Sequence, residues 1–111
     1  MNYCGLPGDR YHERALKYLP NGSCGVVSFG VRGGRSAAEE FMKHLTVAAI
    51  ETHVADARSC CLHPASATHR QMSDAELEQA GVKPDLVRFS CGLENADDLI
   101  EDIAQALERI R

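Results

Sequence analysis

LVRFSCGLENADDLIEDIAQALERI, residues Leu86 to Ile110, changes its hydrophobic period part-way along. From Leu86 to Gly92 the side chains alternate, with Val87, Phe89 and Cys91 on one face and Leu86, Arg88 and Ser90 on the other, the two-residue repeat of a strand. Beyond Gly92 the repeat lengthens. Leu99, Ile100, Ile103, Leu107 and Ile110 form the stripe of a helix that starts near Asn95. That helix carries Asp97 and Asp98 in its first turn and Arg109 near its end, so its charges complement its dipole.

Upstream, the same two periods recur. Gly25 to Val31, GVVSFGV, is a β-branched and aromatic run of strand length, preceded by a short helix over Tyr11 to Leu19 that Pro20-Asn21-Gly22 stops. After Gly33-Gly34 a helix is expected to begin near Ser36, which has the capping-box spacing with Glu39. Ala38, Phe41, Met42 and Leu45 lie on one side of it. Val47 to Glu51 has the character of a buried strand. Ser73 to Ala80 is expected as a short capped helix, again with S-x-x-E spacing in Ser73 and Glu76, ended by Gly81. Between them, Thr52 to Gln71 follows neither period, and a loop of about twenty residues in a small domain is usually functional or else the sign of an element wrongly assigned. The order of elements predicts an α+β two-layer sandwich with helices on one face of a short sheet, and leaves the strand order open.

A chain of 111 residues holds one domain, and its core must be mostly aliphatic, since there is no Trp and only three Phe and three Tyr. The formal charge of −4, without a dense run of Lys or Arg, argues against nucleic acid as a partner. No apolar stretch reaches the roughly 20 residues that cross a bilayer, so no membrane is expected. The first residues lack the basic and apolar regions of a secretory signal, which leaves a cytoplasmic location as the expectation. Five cysteines, Cys4, Cys24, Cys60, Cys61 and Cys91, without CxxC spacing, fit reduced thiols better than disulfides.

The long loop contains CCLHPASATHRQM, Cys60 to Met72, and raises the question of a metal site or a nucleophile. His53, Cys60, Cys61, His63 and His69 are zinc-ligand types, but adjacent cysteines point apart in extended backbone and neither CxxC nor HxxxH occurs. A Cys60 or Cys61 nucleophile paired with His63 or His69 needs partners that sequence proximity does not supply. Buried thiols and hydrogen-bonding imidazoles are the simpler reading. Gly30 to Gly34, GVRGG, lacks the known phosphate-binding glycine patterns and is read as a turn. Arg88 is different. A guanidinium in mid-strand either holds a carboxylate ligand through its bidentate fork or pairs with a carboxylate of the domain such as Glu94, and the residues alone leave both open.

NYCGLPGDRYHERALKYLPNG, SFGVRGG, DARSCCLHPASATHRQM and VRFSCGLEN together resemble the C-terminal domain of the Cys/Met-metabolism enzymes that use pyridoxal phosphate. The resemblance runs over essentially the whole chain, Asn2 to Ile110. Within that family the DARS and HPASATHRQ forms are most similar to the O-acetylhomoserine sulfhydrylases. The resemblance implies a small α+β domain beside a much larger cofactor-binding domain of fold type I, in a homo-oligomer with shared active sites. Residues 1–24 are then the interdomain segment and first helix, and 25–111 the substrate-recognition domain. Met1 is read as a start placed inside a longer protein.

The family's arginine in R-x-S-x-G binds the substrate α-carboxylate, and Arg88, Ser90 and Gly92 stand at those positions. The segment before HPA lines the substrate pocket in the family, which places His53 and Val54 there, where relatives carry serine-leucine or asparagine-leucine. Thr68, in the same loop, is counted with them. The lysine that holds pyridoxal phosphate, the phosphate-binding turn and the carboxylate facing the pyridine nitrogen belong to the large domain, so no catalytic, cofactor-binding or metal residue is assigned within the chain. The implied activity of the parent is replacement of acetate on O-acetylhomoserine by sulfide or a thiol. The chain alone is expected to be inactive. Two alternatives remain, a stand-alone binding or self-associating module that keeps the fold, and a small zinc or thiol-redox protein.

Overall fold

The computed structural model describes residues 1–111. Four helices and four short strands follow one another as α1 (His12–Tyr18), β1 (Val26–Gly30), α2 (Gly34–Lys43), β2 (Ala49–Ile50), β3 (Cys60–Leu62), α3 (Asp74–Gln79), β4 (Leu86–Ser90) and α4 (Ala96–Glu108). The strands form one mixed sheet in the order β1-β4-β3-β2. β4 pairs antiparallel with β1 and β3, and β2 runs parallel to β3. This is the expected α+β class, with the strand order now settled.

Register sorts the side chains. Val27 and Cys61 both stand opposite Phe89, and Phe29 opposite Val87, so these five share one face. Against that face pack Ala38, Phe41 and Met42 of α2 and Leu99 and Ala106 of α4, which with Val31 and Ala48 complete the buried core. Phe29 and Phe41 meet edge to face at 5.8 Å. On the reverse face Ser28, Arg88 and Leu62 form a row across three strands. Asn2 extends that row, because it bridges to Ser28 along the outer edge of β1.

The structure departs from the sequence expectations at four places. α2 begins at Gly34, two residues before Ser36. Gly33 adopts φ 109°, a left-handed conformation that only glycine takes up freely, and no side chain caps the helix, so the Ser36–Glu39 box is not formed. The strand foreseen over Val47 to Glu51 shrinks to Ala49–Ile50 at the sheet edge, with Ile50 exposed. The cause is Asp102, whose carboxylate takes the N–H groups of Thr46, Val47 and Ala48 and so removes them from any ladder. Third, the expected long loop contains β3, all three residues of which are buried.

The fourth departure is the face of α4. Ile100 is 65% exposed and Leu107 37%, whereas Leu99, Asp102 and Ala106 are buried and Ile103 and Ile110 pack partly against the core. The stripe is turned by one position because a charged residue, Asp102, occupies its centre. Other boundaries agree with expectation. Ser73 and Glu76 make the capping box of α3 reciprocally, and the Asn95 side chain accepts from the N–H of Asp97 at the start of α4.

Candidate functional site

The site is built on the reverse face of β4, beneath the segment 51–59 that carries the chain from β2 across to β3. Arg88 leaves mid-strand on this face, and its Nη2 donates to the backbone carbonyls of Thr52 at 2.7 Å and His53 at 3.2 Å. Its Nε–H is buried without an acceptor in the chain. The pairing with Glu94 considered from the sequence is not made, since Glu94 accepts instead from the backbone N–H and hydroxyl of Ser59, both at 2.7 Å. The arginine is therefore oriented by neutral carbonyls while its positive charge stays uncompensated by an ion pair.

Segment 51–59 is polar and exposed up to Arg58, so it has little apolar contact to hold it. Hydrogen bonds from the end of β4 do so. The Ser90 hydroxyl accepts from the N–H of Ala55 at 3.1 Å, the N–H of Leu93 donates to the Ala57 carbonyl at 2.8 Å, and the N–H of Gly92 donates to the Ser59 hydroxyl at 2.8 Å. Gly92 is required by space rather than by φ. A Cβ there would stand 2.4 Å from the Ala57 carbonyl oxygen and 2.5 Å from the Ser59 nitrogen.

Of the residues singled out in the sequence, Arg88 and His53 are in contact, and Val54 follows His53 with its side chain half exposed. The His53 ring lies in solvent, with Nδ1 3.0 Å from Glu51 and 3.7 Å from Asp56. Thr68 belongs to a separate exposed turn after β3, where its hydroxyl meets His69 Nδ1 at 2.8 Å. Ser59, and its pairing with Glu94 in place of Arg88, was missed by sequence reasoning. The two residues lie 35 positions apart, and no local spacing links them.

The thiols and imidazoles of the Cys60 to Met72 stretch do not form a cluster. His63 is buried, with Nδ1 against the Ser66 hydroxyl at 2.8 Å and Nε2 against the Pro84 carbonyl at 2.7 Å, so both ring nitrogens are spent on fixing the turn at Pro64. Burial pushes the Cys61 thiol up to about 12 in spite of the nearby Arg88 guanidinium, and burial together with Asp56 and Glu51 raises Cys60. Neither thiol is poised as a nucleophile. No group of three His, Cys, Asp or Glu side chains is placed to hold a metal ion. No helix is long and apolar enough to cross a membrane.

Comparison with known proteins gives a consistent picture. The family model described as Cys/Met metabolism PLP-dependent enzyme matches residues 1–108. O-acetyl-L-homoserine sulfhydrylase 1 of Thermus thermophilus is 43% identical over 107 residues, covering 96% of this chain and 25% of that protein. Homocysteine synthase of Schizosaccharomyces pombe is 42% identical over 108 residues, 97% of this chain and 25% of that protein. Among solved structures, an O-acetylhomoserine (thiol)-lyase from Campylobacter jejuni, determined with a pyridoxyl-lysine monophosphate, superposes with a TM-score of 0.85 at 36% identity, over 96% of this chain and 25% of that one. The chain thus spans about a quarter of the length of the curated relatives it matches.

Covalent attachment of an aldehyde cofactor needs a lysine held in a desolvated site. Lys43 is exposed and paired with Glu40 at 3.0 Å, Lys17 is exposed with its Nζ 5.2 Å from the centre of the Tyr18 ring, and Lys83 is exposed. None of the three is held in such a site. The matched family model over residues 1–108 and the shared fold lead to one conclusion: this chain belongs to the Cys/Met metabolism family of pyridoxal phosphate-dependent enzymes.

Proposed function

We propose that this chain is the amino-acid-recognition part of a pyridoxal phosphate-dependent enzyme that replaces the acetate of O-acetylhomoserine with sulfide or a thiol. The observation that carries the reading is Arg88. Its guanidinium is fixed by the Thr52 and His53 carbonyls, faces no carboxylate of the chain, and keeps donors free for the α-carboxylate of an amino acid. His53 and Val54, on the segment lying over Arg88, flank the position that carboxylate takes, whereas Thr68, on a separate exposed turn, would have a part only where the family resemblance is followed. Relatives named as sulfhydrylases and as homocysteine synthase support the choice of substrate. The bond-breaking chemistry belongs to a large cofactor-binding domain in the same homo-oligomer, and the 111-residue chain by itself is inactive.

The test is Arg88→Lys in the enzyme assembled with its cofactor-binding domain. Loss of the bidentate fork raises the amino-acid KM about tenfold or more, with a smaller effect on kcat. An unchanged KM removes Arg88 from carboxylate binding. Turnover of O-acetylhomoserine by the rigorously purified chain alone refutes the assignment of catalysis elsewhere.

A second reading, a stand-alone module that binds a partner or a second copy, is favoured by an open apolar cleft of about 340 Å³ lined by Met1, Val27, Phe29, Phe89, Ile103 and Leu107. Sedimentation at rising concentration tests it. A strictly monomeric chain counts against self-association.

A further inference from the structure

We infer that Glu94 is a positioning residue for Arg88: by gripping Ser59 it holds residues 52–58 over β4, so that the Thr52 and His53 carbonyls meet the guanidinium. This rests on the reading of Arg88 as the carboxylate-binding group and extends it to residues that touch no substrate.

The grip is complete in its hydrogen bonding. Ser59 offers Glu94 two donors, its N–H to one carboxylate oxygen and its hydroxyl to the other, both at 2.7 Å. The same hydroxyl accepts from the N–H of Gly92 at 2.8 Å, so every polar atom of the Ser59 side chain and both Glu94 oxygens are used. Ser59 is fully buried, whereas residues 51 to 58 before it are exposed. These contacts, with Ala55 N–H to Ser90 Oγ and Leu93 N–H to Ala57 O, are what secure an otherwise solvated segment.

The segment is also under tension. Ala55 has φ 59°, the only non-glycine residue of the chain in the left-handed region. A side chain adopts that conformation at a cost, and such outliers persist where surrounding contacts over-determine them. Here the outlier lies two residues after His53, whose carbonyl takes Arg88, and its own N–H is the one held by Ser90. Release of the grip lets Ala55 relax and carries both carbonyls away from the guanidinium. Glu94 accepts nothing from Arg88 itself, which leaves the cation free for an anionic ligand.

The experiment uses the intact polypeptide with isotope-labelled arginine. Glu94→Gln places an amide N–H against a Ser59 donor. It is expected to lower the heteronuclear NOE of Arg88 Nε and to speed exchange of the Ala55 amide about tenfold. Ser59→Ala, of nearly the same size, should do the same and serves if the first variant folds poorly. Glu94→Asp, which keeps the charge, should recover part of the order. In kinetics the amino-acid KM rises while kcat at saturation is largely kept, a split that general destabilisation does not produce. Unchanged Arg88 order in folded Glu94→Gln and Ser59→Ala overturns the inference. So does an Arg88→Lys enzyme with raised KM beside a Glu94→Gln enzyme with normal KM. Loss of Arg88 order in Glu94→Gln, with the amino-acid KM unchanged in both Arg88→Lys and Glu94→Gln, leaves the positioning of the guanidinium standing and removes the carboxylate reading.

Discussion

Asp102 receives both the backbone N–H of Thr46 at 2.7 Å and its hydroxyl at 2.8 Å, and its second oxygen takes the N–H groups of Val47 at 3.0 Å and Ala48 at 3.2 Å. A buried carboxylate on α4 thereby caps the chain between α2 and β2. Asp102→Asn replaces one oxygen by an amino group that faces N–H donors. It should destabilise the fold by about 3 kcal/mol, measured by urea denaturation.

The same carboxylate gives a pH dependence. Burial pushes Asp102 up, but the donors of Thr46, Ala48 and Val47 outweigh it and hold the group below its ordinary value. A folded-state pKa below the unfolded one means stability that is present above about pH 3.9 and lost as pH falls through the folded value. Between pH 6 and pH 3 the wild type should lose more stability than Asp102→Asn, which has no charge to neutralise. Equal losses would show that other carboxylates dominate.

Gly92→Ala should be costly although Gly92 has no unusual φ. Its new methyl would stand within 2.4–2.6 Å of the backbone at Ala57, Arg58 and Ser59, and backbone cannot swing aside as a side-chain tip can. About 3 kcal/mol of lost stability is expected. A shift of segment 52–59 in the variant's crystal structure should accompany it.

The five thiols should separate in native alkylation followed by mass mapping. Cys24 is exposed and should react first. Cys61, buried with its thiol at about 12, should lag by on the order of a thousandfold from its thiolate fraction alone. Fast labelling of Cys61 would mean that β3 opens readily.

Phe41 has no exposed surface and meets Phe29 edge to face, joining α2 to β1. Phe41→Ala should cost about 3–5 kcal/mol through lost burial and the cavity left behind. Thermal denaturation would check it.

Segments whose hydrophobic period is a local property were legible in the sequence. β1, β4, α1, α3 and α4 stand where period, turn residues and caps put them, because a strand's alternation and a helix's capping are written in neighbours a few positions apart. β3 was not legible. Cys60, Cys61 and Leu62 are buried on both sides, so the run carries no alternation, and its pairing to Phe89 and Arg88 lies far along the chain. The candidate site divides in the same way. Arg88 stood out as a charge in mid-strand, and the family resemblance gave it a role, but its contact with Thr52 and His53 spans 36 and 35 positions.

By itself, then, the sequence determined the fold class, the family and the strand position of Arg88, since periodicity, capping and motif are short-range features. Only the tertiary structure decided which strands are neighbours, why β2 is so short, and which groups hold the segment above Arg88. Asp102 finds Thr46 across 56 positions and Glu94 finds Ser59 across 35. Such contacts exist only once the core has brought α4 and β4 against the crossing chain, where a desolvated donor left without an acceptor is costly.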